Sequence, residues 1–154
     1  MMLNPTPTES SPCFSSADVS LSKIPQDEVF RVAGLVAPYL ESAIRSGSSR
    51  MTVGEVLEHA AAGTYQLWLV ATADGDCIAA AITVLAGSLT EEKSCLVLLL
   101  GGRDLPRWKH VVSEMETWAR LEGCTCMEFH GRRGWERIFP EYRAAYVVLR
   151  KELV

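Results

Sequence analysis

The stretch from Tyr65 to Leu100 constrains the fold most. It holds three apolar runs, Tyr65–Thr72, Cys77–Leu85 and Ser94–Leu100, the first two separated by Ala73-Asp74-Gly75-Asp76. Asp-Gly between two apolar runs is a hairpin signal, because a tight turn needs a positive φ that Gly adopts without steric cost. The third run is apolar at nearly every position, as expected of a strand covered on both faces. Such a sheet must be flanked by helices, and the segments on either side have to supply them.

They carry the right patterns. Upstream, Val29, Val32, Ala33, Val36, Leu40 and Ile44 recur at helical spacing, which predicts one helix from Ile24 to Ser46. Pro38 should kink or divide it, since proline lacks the N–H that a helix interior uses. Thr52 followed three residues later by Glu55 reads as a capping box opening a second helix, Val53 to Ala62, with Gly63 closing it. Downstream of the third run, beyond a polar turn at Ser88–Glu92 that precedes it, Asp104 is the expected N-cap of a third helix. Its apolar stripe is Trp108, Val111, Val112, Met115, Trp118 and Ala119, and Gly123 ends it. A strand over Thr125–His130, a short helix over Gly134–Phe139 and a final strand over Ala144–Leu153 complete the order.

Residues 1–24 are rich in Ser, Thr and Pro and too poor in apolar side chains to offset their ordering entropy. They read as a flexible arm that orders only against a protein partner, with one domain over residues 25–154. A length of 154 residues with 48% hydrophobic and 22% charged residues fits one globular α/β domain. The formal charge of −4 gives no support for general nucleic-acid or anionic-membrane affinity. No signal-peptide pattern and no membrane-spanning apolar run is seen, so a cytoplasmic rather than secreted protein is expected. The 5 cysteines are odd in number and unpatterned, which fits a reducing compartment. Cys124-Thr125-Cys126 would put both thiols on one strand face, with no second ligand pair for a metal.

The succession helix, helix, strand, strand, strand, helix, strand, short helix, strand resembles the GNAT acetyltransferase family from about residue 25 onward. The segment Cys126-Met127-Glu128-Phe129-His130-Gly131-Arg132-Arg133-Gly134-Trp135-Glu136-Arg137-Ile138 and the terminal Val147–Leu153 are similar to small GNAT-like proteins of tailed phages and prophages. The resemblance implies a mixed, mostly antiparallel sheet flanked by helices. For a working enzyme it also implies acetyl-CoA, whose pyrophosphate the family cradles in an Arg/Gln-x-x-Gly-x-Gly/Ala loop at a helix N-terminus.

Here that junction reads Gly101-Gly102-Arg103-Asp104-Leu105-Pro106-Arg107, and the pattern is not met. The glycines are adjacent, Asp104 would occupy and repel at the N–H groups a phosphate needs, and Pro106 removes a donor. Gly101, Gly102, Arg103 and Arg107 are nonetheless the candidate cofactor contacts, the two arginines as phosphate partners. By the same resemblance, Glu128 is the candidate general base and Tyr142 the candidate acid for a departing thiolate, with Tyr146 as the other tyrosine at that end. The basic stretch His130-Gly131-Arg132-Arg133 reads either as an anion grip or as a solvated loop. Trp108 and Trp118 fall on the apolar stripe and read as core, whereas Trp135 lies outside it.

The broken loop, the phage-like C-terminal half and the long arm together lead to one expectation: a non-catalytic virion or assembly component, cytoplasmic or in the virion, that binds other virion proteins through its arm and needs no cofactor. The other expectation is an acetyl-CoA-dependent N-acetyltransferase with a variant loop.

Overall fold

The computed structural model describes residues 18–47, 49–87, 92–131 and 133–154. In chain order these form β1 (Val19–Ile24), a 3₁₀ helix (Gln26–Arg31), α1 (Ala33–Ser46), α2 (Val53–Ala61), β2 (Gln66–Thr72) and β3 (Cys77–Ala86). There follow β4 (Ser94–Gly102), α3 (Leu105–Trp108), α4 (Val111–Leu121), β5 (Cys126–Phe129) and α5 (Trp135–Ile138). The five strands make one sheet in the order β1-β2-β3-β4-β5. Neighbours are antiparallel through β4, and β5 lies parallel to β4. A parallel return needs a crossover, which α3 and α4 provide.

Each face of the sheet has its own core. Val29, Val36, Leu40, Val56 and Leu57 from the 3₁₀ helix, α1 and α2 pack on Leu67, Leu69, Ile82 and Leu99. On the other face, Trp108, Val111, Val112 and Met115 pack on Trp68, Val70, Ala81, Val97 and Leu100. The strands are apolar at consecutive positions because both sets of neighbours exclude water. Thr83, fully buried in β3, is the polar exception; its hydroxyl accepts from Trp68 Nε1 and donates to Gln66 Oε1, both at 2.9 Å.

The local signals hold at several points. Thr52 Oγ1 accepts from the Glu55 N–H at 3.1 Å while Glu55 Oε1 accepts from the Thr52 N–H at 2.9 Å, so the capping box is formed at both ends. Gly75 turns the hairpin at φ 91. Pro38 is accommodated inside α1.

Five expectations are corrected. Val19–Ile24, assigned by composition to the arm, is an edge strand paired along its length with β2. The upstream helix accordingly begins at Gln26 as a 3₁₀ turn and becomes α-helical only at Ala33. The third helix is two helices, because Val112 and Ser113 donate to the carbonyls three residues back, at Lys109 and His110. The final strand is not formed: residues 144–154 are irregular and exposed, since an isolated segment with no ladder partner has nothing to hold it extended. Cys124 lies before β5 and is buried beside Cys95, whereas Cys126 is exposed, so the two thiols share no strand face. Residues 1–17, which carry most of the proposed arm, and residues 88–91 of the Ser88–Glu92 turn lie outside the described residues. No helix among the described residues is long and apolar enough to cross a membrane.

Candidate functional site

The site originates in a slip of β4. Ile82 pairs with Leu99 but Thr83 pairs with Val97, so Leu98 is an extra residue in the ladder. The packing records the same shift. Cys95 and Val97 face α4, Leu99 faces α1 and Leu100 faces α4 again, so the two-residue alternation loses phase at Leu98.

β5 follows β4 only up to that point. Its four residues pair with Ser94–Val97, and the last bond is His130 N–H to the Val97 carbonyl at 3.0 Å. Beyond it, Leu98–Gly102 has β3 on one edge and no strand on the other among the described residues. Arg103 N–H donates to the Ile78 carbonyl at 2.8 Å, which fixes the alternation of the ladder. The N–H and C=O groups of Gly102 and Leu100 therefore point away from β3, toward the open edge.

A cavity of about 400 Å³ fills this opening and passes from one face of the sheet to the other. On the α1 side it meets Ser42, Ser46, Ser49 and Tyr65; on the other side, Leu105, Trp108, Trp135 and Ile138. Leu98–Gly102 and His130-Gly131 form its two banks.

The sequence-derived candidates fall in different places. Gly101 and Gly102 line the cavity, but their glycine character is needed for packing. A Cβ on Gly101 would stand 2.5 Å from the Tyr39 carbonyl oxygen, and one on Gly102 would stand 2.5 Å from Ala79 Cβ and 2.6 Å from the Ile78 oxygen. Arg103 keeps a half-exposed guanidinium, whose Nε donates to Tyr39 Oη at 3.2 Å. Tyr39 Oη in turn donates to the Cys77 carbonyl at 2.9 Å. Arg107 is turned away and paired in a fork with Asp18, Nε to Oδ2 at 3.0 Å and Nη2 to Oδ1 at 3.3 Å. It therefore pins β1 to α3 rather than standing ready for a phosphate.

Asp104 does not cap α3 through its side chain. Its backbone is left-handed, φ 58 and ψ 49, which swings the carboxylate away from the helix N–H groups and toward Arg103 Nη1 at 3.5 Å. Because α3 has only four residues, it offers no extended N-terminal cradle.

Glu128 and Tyr142, the candidate base and acid, are on opposite faces. Phe129 lies against Val97 on the α4 side, so Glu128 projects to the α1 side. Tyr142 stacks on Phe129, with ring centroids 4.7 Å apart, and its hydroxyl donates to Glu116 on α4. Burial, reinforced by the Glu116 carboxylate, pushes that hydroxyl far above its ordinary range. Tyr142 is thus a packing residue outside the cavity, and the acid role does not fit its position.

Glu128 instead meets His130, Oε1 to Nε2 at 3.3 Å, and accepts from Tyr146 Oη at 3.0 Å. The hydrogen bond to Glu128, followed by desolvation and the carboxylate's charge, raises the Tyr146 hydroxyl. His130, read from sequence only as part of a basic loop, is the member of this group that lines the cavity. The one signal for it was its place two residues after Glu128 on a strand, which puts both on the same face. Arg133 of the same loop pairs with Glu136 at 3.2 Å, and Arg132 lies outside the described residues.

No protein-family model matches the sequence, and no curated protein matches it. Solved structures do match in fold. An aminoglycoside acetyltransferase from an uncultured soil metagenomic sample, solved with trehalose, superposes with a TM-score of 0.64 at 7% identity, over 88% of this chain and 97% of that one. A GNAT family acetyltransferase of Staphylococcus aureus gives 0.61 at 10% identity, over 88% and 99%. The ribosomal-protein-alanine N-acetyltransferase of Brucella melitensis gives 0.58 at 14% identity, over 88% and 98%. At these identities the likeness is one of fold: the chain is a single α/β domain with a GNAT-like fold. The expectation of a non-catalytic virion or assembly component is corrected by this comparison, because these three structures that share the fold are acetyltransferases and nothing in the comparison points to a virion protein.

Proposed function

We propose that the protein is an acetyl-CoA-dependent N-acetyltransferase. The observation that carries this reading is the cavity through the sheet between β4 and β5, which lets two reactants meet from opposite faces. The open β4 edge suits the amide-bearing pantetheine arm of an acyl-CoA, since Leu100 and Gly102 offer strand-like donors and acceptors there. The fit is unequal along the cofactor. The arm and acyl end match the edge and the apolar wall of Leu105, Trp135 and Ile138, whereas the pyrophosphate end finds, among the described residues, only Arg103, with Asp104 close by and Arg107 committed to Asp18.

When bound, acetyl-CoA supplies an acetyl group activated as a thioester. The chain's own residues do the rest. Ser42, Ser46, Ser49 and Tyr65 give the α1-side mouth a hydroxyl-rich lining that orients a polar acceptor. Glu128 places a negative charge next to that mouth, which favours an amine, and the net charge of −4 acts in the same sense.

Calorimetric titration with acetyl-CoA tests this directly. One-to-one binding in the micromolar range, about −8 kcal/mol, is expected. No heat and no thermal shift at millimolar acetyl-CoA would end the acetyltransferase reading.

A further inference from the structure

Three polar side chains meet at the end of β5: Glu128, His130 and Tyr146, the last from the C-terminal segment. Glu128 Oε1 and His130 Nε2 are 3.3 Å apart. Tyr146 Oη is 3.0 Å from each of them, and its ring stands edge-on to the imidazole. Counting protons decides how they are shared. An ionised carboxylate has none, the phenol has one and a neutral imidazole has one.

If Nε2 were bare, two lone-pair-bearing atoms would face each other across 3.3 Å, and the single Tyr146 proton would satisfy only one of them. With the imidazole proton on Nε2, that N–H points between Oε1 and Oη while the phenol donates to Oε1, and every group is satisfied. The lone pair then resides on Nδ1.

We propose that His130 is the residue that takes the proton from the acceptor amine, at Nδ1, with Glu128 and Tyr146 as positioning residues that fix its tautomer. This rests on the acetyltransferase reading and replaces Glu128 as the base within it. His130 lines the cavity, whereas Glu128 and Tyr146 are absent from the lining and stand behind it. The Glu128 oxygen nearest the ring is already engaged by both the imidazole Nε2 and the Tyr146 hydroxyl, on the side away from the cavity lining.

In the transfer, the acceptor nitrogen forms its bond to the acetyl carbon as the carbon–sulfur bond breaks. The nitrogen's proton passes to Nδ1, and the sulfur leaves as a thiolate that is protonated from solvent. The imidazolium so formed keeps its Nε2–H against the Glu128 carboxylate, which stabilises the new charge.

The test is nitrogen-15 NMR of the imidazole rings in the full chain, at a pH where they are neutral, with and without acetyl-CoA. The chain has 3 histidines, and loss of a signal in His130→Gln identifies the one in question. A single Nε2–H tautomer is expected for His130 in the wild-type protein. Glu128→Gln, whose amide can also donate to a bare Nε2, should convert it to a mixture of tautomers, a change that loss of packing alone would not produce.

An Nδ1–H ring in the wild-type protein would overturn the assignment, as would a pure Nε2–H ring surviving in Glu128→Gln. Titration of the same samples separates the two readings. Acetyl-CoA bound to a protein with the wrong tautomer removes only the role of His130, whereas no binding removes the acetyltransferase reading with it.

Discussion

The two halves of β4 are both poor in polar side chains and opposite in surroundings. Ser94–Val97 is bonded to strands on both edges, and Leu98–Gly102, among the described residues, to β3 alone. No change from apolar to polar residues marks the boundary. One extra residue does, and it turns an interior strand into the wall of a cavity. The comparison teaches that function can enter a sheet through register rather than through side-chain chemistry.

The largest test acts on the open half. Gly102→Val forces a side chain into the Ala79 and Ile78 contacts and should cost about 2–3 kcal/mol in denaturant unfolding. Gly134→Ala meets nothing within 4 Å and serves as the control, with a change within about 0.5 kcal/mol. Equal stability of the two variants would mean that β4 is free to move off β3.

The paired half predicts an alkaline weakness. Burial raises the Cys95 thiol from 9.0 to about 11, so the folded chain favours the protonated form. Its contribution is fully present below pH 9 and is lost as pH rises toward 11, worth roughly 2–3 kcal/mol. Urea midpoints of the wild type and Cys95→Ala, compared at about pH 8 and pH 10.5, should converge at the higher pH. Parallel behaviour would show that water reaches the paired half as readily as the open one.

Hydrogen exchange resolves the difference residue by residue. The amides of Leu100 and Gly102, directed at the opening, should exchange on the order of tenfold or more faster than those of Leu99 and Gly101, which donate to β3. Saturating acetyl-CoA should slow the first pair and leave the second unchanged. Protection of all four alike would mean that the edge is already covered.

The smallest effect belongs to the far rim. Arg50 and Glu152 pair at 2.6 Å with both side chains about two-thirds exposed. Arg50→Ala should shift the melting temperature by less than about 2 °C. A larger loss would assign the C-terminal segment a structural duty that its exposure argues against.

Much of the fold was legible because local signals and burial agreed. The Asp74-Gly75 turn, the Thr52–Glu55 box and the stripe ending at Ala119 each carry their own physical cause. β1 was missed because Val19–Ile24 is an edge strand with polar residues at three of its six positions, and its stability comes from pairing with β2. Asp104 was misread because its cap pattern presumes a backbone angle that it does not adopt.

The site was less legible for a related reason. Glu128 stood out as a carboxylate, but nothing in a single sequence marks Leu98 as an inserted residue. Tyr142 and Tyr146 were indistinguishable until the structure placed Tyr142 among aromatic rings and Tyr146 beside His130.

The C-terminal segment carries a consequence for the protein's behaviour at concentration. Tyr146, Val147, Val148, Leu149, Leu153 and Val154 are all exposed, five of them by more than three-quarters of their surface. Side chains of this size release about 1.5–3 kcal/mol each when fully covered. A β-prone, apolar stretch that pairs with no strand among the described residues is adhesive toward any surface that can complete a ladder with it. Its colloidal stability therefore falls to the charged residues that punctuate it, Arg150, Lys151 and Glu152, which makes salt the variable to which clarity of a concentrated solution should respond.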